Sequence, residues 1–177
     1  MTEQQRDMFA PHRELYESTG ESNCRPLATC RQVKDFALAG NAYLTIRSEH
    51  TGTRFTFRIT APRHATTLEN RGRAQKPIWF VKVLTGPDNE SHYEYLGQIR
   101  HDMTFDHGRK SRIARDAQSA VAFAWTWKAI RAEQERVFDF VSIWHEGRCG
   151  RCGRKLTVPE SIESGIGPEC AKRGQSN

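Results

Sequence analysis

Residues 43–60, YLTIRSEHTGTRFTFRIT, decide how the chain must be read. Leu44 and Ile46 alternate with Tyr43, Thr45 and Arg47; past the short HTGT turn, Phe55, Phe57 and Ile59 alternate with Thr56 and Arg58. A period of two sends successive side chains to opposite faces of a pleated strand, and a glycine-containing interruption lets the chain reverse. The stretch therefore predicts an antiparallel hairpin with one apolar face and one polar, basic face.

The pattern repeats further along. IWFVKVL (78–84) reads as a largely buried strand, TGPDNES (85–91) as a turn, and HYEYLGQI (92–99) as the antiparallel return with Tyr93 and Tyr95 on one face. From Asp116, a candidate cap, Ala120, Phe123, Trp127 and Ile130 recur at helical spacing. Alternation returns at VFDFVSIWH (137–145), with Val137, Val141 and Ile143 opposite Phe138, Phe140 and Trp144, and predicts a last strand ending on His145. The expected class is α+β: a small antiparallel sheet of two hairpins packed on one long helix, with a C-terminal zinc knuckle. The expected organisation is a flexible acidic arm (1–32), an α+β core (33–140) opened by a short helical or irregular lead-in, the knuckle (141–173), and a disordered tail (174–177).

The knuckle is read from His145-x3-Cys149-x2-Cys152-x17-Cys170. A C-x2-C pair sets two sulfurs on one tight turn at the separation a tetrahedral Zn²⁺ accepts, with Zn–S near ~2.3 Å. Gly150 and Gly153 allow the positive φ such a turn often requires, and Gly165, Gly167 and Pro168 read as a turn aiming Cys170 back at the pair. Arg148, Arg151, Arg154 and Lys155 offset the charge of the thiolates. His145 is the expected fourth ligand, with Cys24, Cys30 or water as alternatives. Four protein ligands close the coordination sphere, so one structural zinc is expected. Neither the deaminase pairing of H-x-E with P-C-x-x-C nor H-E-x-x-H is present. Outside the knuckle, His101, Asp102, Asp106 and His107 form the one other cluster that could serve a hydrolase or nuclease.

The string CGRCGRKLTVPESIESGIGPEC (149–170) resembles the cysteine-rich ending shared by uncharacterised proteins of bacteriophages, plasmids and actinobacterial genomes, a domain of unknown function. The resemblance covers about residues 143–172. Less closely, VLTGPDNESHYEYLGQI and the helix before the knuckle are similar to the body of such proteins. It implies a zinc-binding accessory protein of a mobile element, with Cys149, Cys152 and Cys170 as ligands, and it implies no particular activity.

Composition limits the remaining choices. The 177 residues suffice for one core with a small metal module, and no apolar run approaches the roughly 18 residues of a membrane span. The start, MTEQQRDMF, lacks the basic and apolar regions of a signal peptide, and five cysteines are an odd number with two at metal-knuckle spacing; a cytoplasmic, reduced protein is expected. Net charge is +6, while residues 1–23 hold five acids against Arg6 and Arg13, so the basic excess falls on the rest of the chain.

Basic residues gather in three places: Arg63, Arg71, Arg73 and Lys76; Arg109, Lys110 and Arg112; and Arg151, Arg154 and Lys155. With Trp79, Tyr93 and Tyr95 as stacking platforms, they favour nucleic acid as a partner, single-stranded DNA or RNA above duplex. The competing expectation is a protein-binding module that inhibits a host nuclease or defence complex. In the arm, Gln5, Asp7, Met8 and Phe9 resemble the pentapeptide by which bacterial replication proteins dock on the sliding clamp, with Met8 and Phe9 as the apolar anchors.

Overall fold

The computed structural model describes residues 25–62, 77–88 and 90–174. The chain opens with β1 (Arg25–Pro26) and α1 (Cys30–Ala37), then runs through β2 (Asn41–Ser48), β3 (Arg54–Thr60), β4 (Trp79–Leu84), β5 (Tyr93–Ile99) and β6 (Phe105–His107). After α2 (Gln118–Arg131) and a 3₁₀ turn (Glu135–Asp139) come β7 (Val141–His145), α3 (Pro159–Ser164) and α4 (Pro168–Gly174). The fold is α+β, with a single antiparallel sheet ordered β1-β7-β2-β3-β4-β5-β6.

Both expected hairpins are present, and their register follows the alternation: Tyr43 faces Arg58, Leu44 faces Phe57, and Lys82 faces Tyr95. The sheet is nevertheless larger than two hairpins. β3 pairs with β4, which joins them, and three further strands extend the edges. β6 comes from the polar run 101–115. Residues 100–104 turn tightly there, with Asp102 accepting from Thr104 N at 3.0 Å and Met103 at a φ of 65°. Trp127 Nε1 donates to Met103 O at 2.9 Å and holds that turn against α2.

β7 is shorter than the alternation predicts. Glu135–Asp139 coil into the 3₁₀ turn, so Phe140 is left exposed and pairing begins at Val141. β7 inserts between β1 and β2, with Ile143 opposite Ile46 and Arg25 opposite His145. The stretch read as a flexible arm thus supplies an edge strand at Arg25–Pro26 and the start of α1.

Two helices, rather than one, cover the same face of the sheet. In α2, Ala120, Phe123, Trp127 and Ile130 are buried as expected, and Phe123 meets Phe57 and Phe105 at 4.9 Å between ring centres. Asp116 does not cap it: the N-cap is Ala117, without a side-chain cap. α1 is capped by Thr29, whose Oγ1 accepts from Gln32 N at 3.2 Å, and buries Cys30, Val33, Phe36 and Ala37. Glu135 accepts from the Cys30 N–H at 3.1 Å, tying α1 to the 3₁₀ turn. Against these helices lie Ala42, Leu44, Ile46, Phe57, Ile59, Val81, Val83 and Ile143, all buried.

The opposite face is different. Tyr43, Thr45, Thr56, Arg58, Phe80, Lys82, Tyr93 and Tyr95 point that way, and none of them is buried among the described residues. Trp79, expected among these platforms, belongs instead to the helix side, where its Nε1 donates to Leu38 O at 3.0 Å.

Candidate metal centre and open sheet face

β7 delivers the chain directly into the knuckle. Cys149 N donates to Arg154 O at 2.8 Å, Gly153 N to Cys149 O at 2.8 Å, and Leu156 N to Gly147 O at 2.8 Å, closing a narrow loop around Cys149 and Cys152. Gly153 takes a φ of +76°, which favours glycine. Gly150 has another reason to lack a side chain: a Cβ there would lie 2.9 Å from the Phe36 ring. α3 stops at Gly165 in the left-handed conformation, and Pro168 starts α4, whose third residue is Cys170. The Sγ atoms of Cys149, Cys152 and Cys170 all lie within 4.8 Å of one another, so the three could hold a metal ion.

The chemistry of the donors fits such an ion. Burial works against ionising Cys149, but N–H groups of Gly167, Cys152 and Arg151 outweigh it and bring the thiol below its usual value. One of these bonds is Gly167 N to Cys149 Sγ at 3.3 Å. Cys170 is pushed up to about 11 by burial, its bond with Cys152 and the negative charge of Cys149. Three sulfurs this close repel as thiolates, and a soft divalent cation between them removes that repulsion. Arg151 donates to Cys170 O at 2.9 Å, while Arg154 and Lys155 stand exposed at the rim.

His145 is not brought into this group. Its ring is buried against Phe36, 5.5 Å between centres, with Nδ1 accepting from Gly147 N at 3.0 Å and Nε2 at 2.8 Å from Ile162 O. Burial is the main reason its pKa lies below the usual value. With both nitrogens in hydrogen bonds, His145 braces the knuckle from outside the sulfur cluster. Cys30 is also elsewhere: it is buried at the start of α1, and burial with the nearby Glu135 charge raises its thiol to about 11.

The candidate catalytic cluster divides between the β5–β6 turn and β6, where Asp106 and His107 stand side by side in sequence. His101 and Asp102 are exposed in the β5–β6 turn, and Asp106 pairs with Arg100. Among the described residues, the three cysteines are the one metal-competent group. Arg109, Lys110 and Arg112 are exposed after β6. Arg63, Arg71, Arg73 and Lys76, the arm residues Gln5, Asp7, Met8 and Phe9, and Cys24 lie outside the described residues.

Tyr93 and Tyr95 were expected as stacking platforms, but the sequence reading missed Tyr43, Arg58 and Phe80, which complete the open face with them. Tyr43 and Tyr93 meet edge to face at 5.8 Å, with the Arg58 guanidinium 5.0 Å and the Arg148 guanidinium 5.9 Å from the Tyr43 ring centre. Phe80 and Tyr95 form a second aromatic pair at 6.4 Å. The alternation that placed Leu44 and Phe57 inward also placed Tyr43 and Arg58 outward, and that signal was sufficient to find them.

Among the described residues, no helix is long and apolar enough to cross a membrane. A family model described as a family of unknown function, DUF6011, matches residues 144–173, the knuckle and its immediate flanks. No curated protein and no solved structure matches the chain.

Proposed function

We propose that the protein binds single-stranded nucleic acid across the open face of its sheet, and that a structural zinc ion held by Cys149, Cys152 and Cys170 fixes the C-terminal fold beside it. The observation that carries the first part is the open face itself. Both long helices pack on one side of the sheet, leaving two aromatic pairs interleaved with Arg58, Lys82 and Arg148 on the other. Unpaired bases stack on such rings whatever their sequence, and the guanidinium groups meet the phosphates. Arg151, Arg154 and Lys155 extend this basic surface onto the knuckle.

Binding of fluorescent single strands, duplex and RNA to the zinc-loaded protein is expected to favour single strands. The log of the binding constant should fall linearly with log salt, with a slope of about −0.7 per neutralised phosphate. Tyr43→Ala should cost about 1–3 kcal/mol of binding, the contribution of one stacked base. Duplex binding as tight as single-strand binding, or an unaltered Tyr43→Ala variant, would count against the stacking platform.

Zinc is the favoured ion because closely set thiolates are its usual structural donors, and such sites are completed by a fourth protein ligand. Cys24 is the cysteine to test for that position. It adjoins Arg25, whose register partner is His145, four residues before Cys149. Chelator competition is expected to show weaker zinc binding in Cys24→Ser and no change in Cys30→Ser. Equal affinities in the two variants would exclude Cys24.

A second reading, a protein-binding module, rests on a separate observation. Val121, Trp125 and Phe140 are exposed large apolar residues, with the Trp125 and Phe140 rings 6.0 Å apart. Failure to bind any oligonucleotide at low salt would shift the weight to this patch.

A further inference from the structure

At the β6 edge, the open face runs into a cleft of about 680 Å³, within the usual range for small-molecule sites. Its lining divides by chemistry. Phe80 and Tyr95 form an aromatic wall, and Arg100, Arg109, Lys110 and Arg115 gather four cations against the single carboxylate of Asp106. Arg100 and Asp106 pair with each other, leaving Arg109, Lys110 and Arg115 as the excess positive charge. His107 also lines the cleft; its Nε2 is shielded from solvent and has no hydrogen-bond partner among the described residues.

The rim is held in place. Gly108 N donates to Leu96 O at 2.9 Å and Ser111 Oγ to Tyr95 O at 2.8 Å, so the segment carrying Arg109 and Lys110 is fastened to β5. Gly108 lies directly on the Tyr95 ring, where a Cβ would not fit. A fastened cationic rim beside an aromatic wall is preorganised for an anion attached to a flat ring.

We propose that this cleft receives the terminal nucleotide of a bound single strand, its base against Phe80 and Tyr95 and its terminal phosphate among Arg109, Lys110 and Arg115. The inference rests on the reading of the open face as a single-strand platform. Position and charge both favour an end over an internal nucleotide. β6 is the last strand of the sheet, so a chain crossing from β2 towards β5 reaches the cleft as it leaves the platform. An internal phosphodiester carries one negative charge, whereas a terminal phosphate carries close to two and matches the concentration of cations. The phosphate belongs to either a 5′ or a 3′ end.

The test uses the full zinc-loaded chain and internally labelled oligothymidylate with a 5′-phosphate, a 3′-phosphate or neither. One phosphorylated form is expected to bind about tenfold more tightly than the unphosphorylated strand, the effect of one added charge-assisted contact. That ratio should fall to about one in Arg109→Ala/Arg115→Ala, while Tyr43→Ala weakens all three oligonucleotides together and preserves it. Equal binding of all three by the unmutated protein overturns the cleft assignment and leaves the platform standing. If no oligonucleotide binds, the platform reading fails, and calorimetric titration with thymidine monophosphate decides the cleft separately. Binding lost in the double variant keeps the cleft as a mononucleotide site; no binding overturns it.

Discussion

Cys149→Ser is expected to abolish stoichiometric zinc binding and to unfold the segment that follows β7. Cys149 is the buried member of the sulfur triad and the one that accepts from Gly167 N, so its sulfur joins the two halves of the knuckle. Metal-binding energy in such a site is folding energy, on the order of 10–16 kcal/mol for structural zinc in small finger peptides. Loss of an outer partner alone typically costs about 10–100-fold in metal affinity, and loss of a ligand should exceed that. Competition with a chromophoric chelator reads the affinity, and amide exchange across residues 147–174 reads the unfolding. The sheet should keep its protection, because most of its core residues lie on β2 to β5 and the two longer helices, and those of β7 precede the knuckle. Full zinc stoichiometry in this variant would remove Cys149 from the ligand set.

Phe36→Ala should be the most damaging single change outside the metal site, at about 3–5 kcal/mol in denaturant unfolding. Total stability of a small domain is only about 5–15 kcal/mol, so most of the margin is at stake. The Phe36 ring is buried on α1 and packs at a tilt against His145, and it fills the spaces where Gly150 and Gly165 have no Cβ. It is the packing link between the helical layer and the knuckle, and its removal should also lower zinc affinity. A cost below about 1 kcal/mol would mean that the cavity collapses and the link is dispensable.

Much of this arrangement was legible because it depends on strong periodicities. The alternation around Leu44 and Phe57, the helical spacing from Ala120 to Ile130, and the C-x2-C pair each specify a local geometry that the tertiary fold leaves intact. What escaped was short or set by distant contacts. Two residues, one of them Pro26, offer no strand pattern; they pair because β7 presents an edge. β6 has three residues inside a polar run and is defined by its register with Gly97 and Gln98. The run VFDFVSIWH alternates convincingly, yet its first four residues belong to the 3₁₀ turn and its cap, where Glu135 accepts from the N-terminus of α1. His145 had the right chemistry for a ligand at a plausible spacing, and only the positions of Gly147 N and Ile162 O show that its nitrogens are occupied.

The position of β7 also orders events on the ribosome. β1 and β2 emerge early, but the strand that belongs between them is made more than ninety residues after β2, so that edge of the growing sheet stays unpaired through most of synthesis. Such edges invite pairing with other chains, and contacts between distant residues slow closure. Cys149 and Cys152 follow β7 within seven residues but Cys170 follows it by twenty-five, so the cysteine cluster is complete only after the last strand has been made. A transcript truncated before residue 141 would yield a nascent chain lacking both the strand that closes the sheet and the cysteine cluster that follows it.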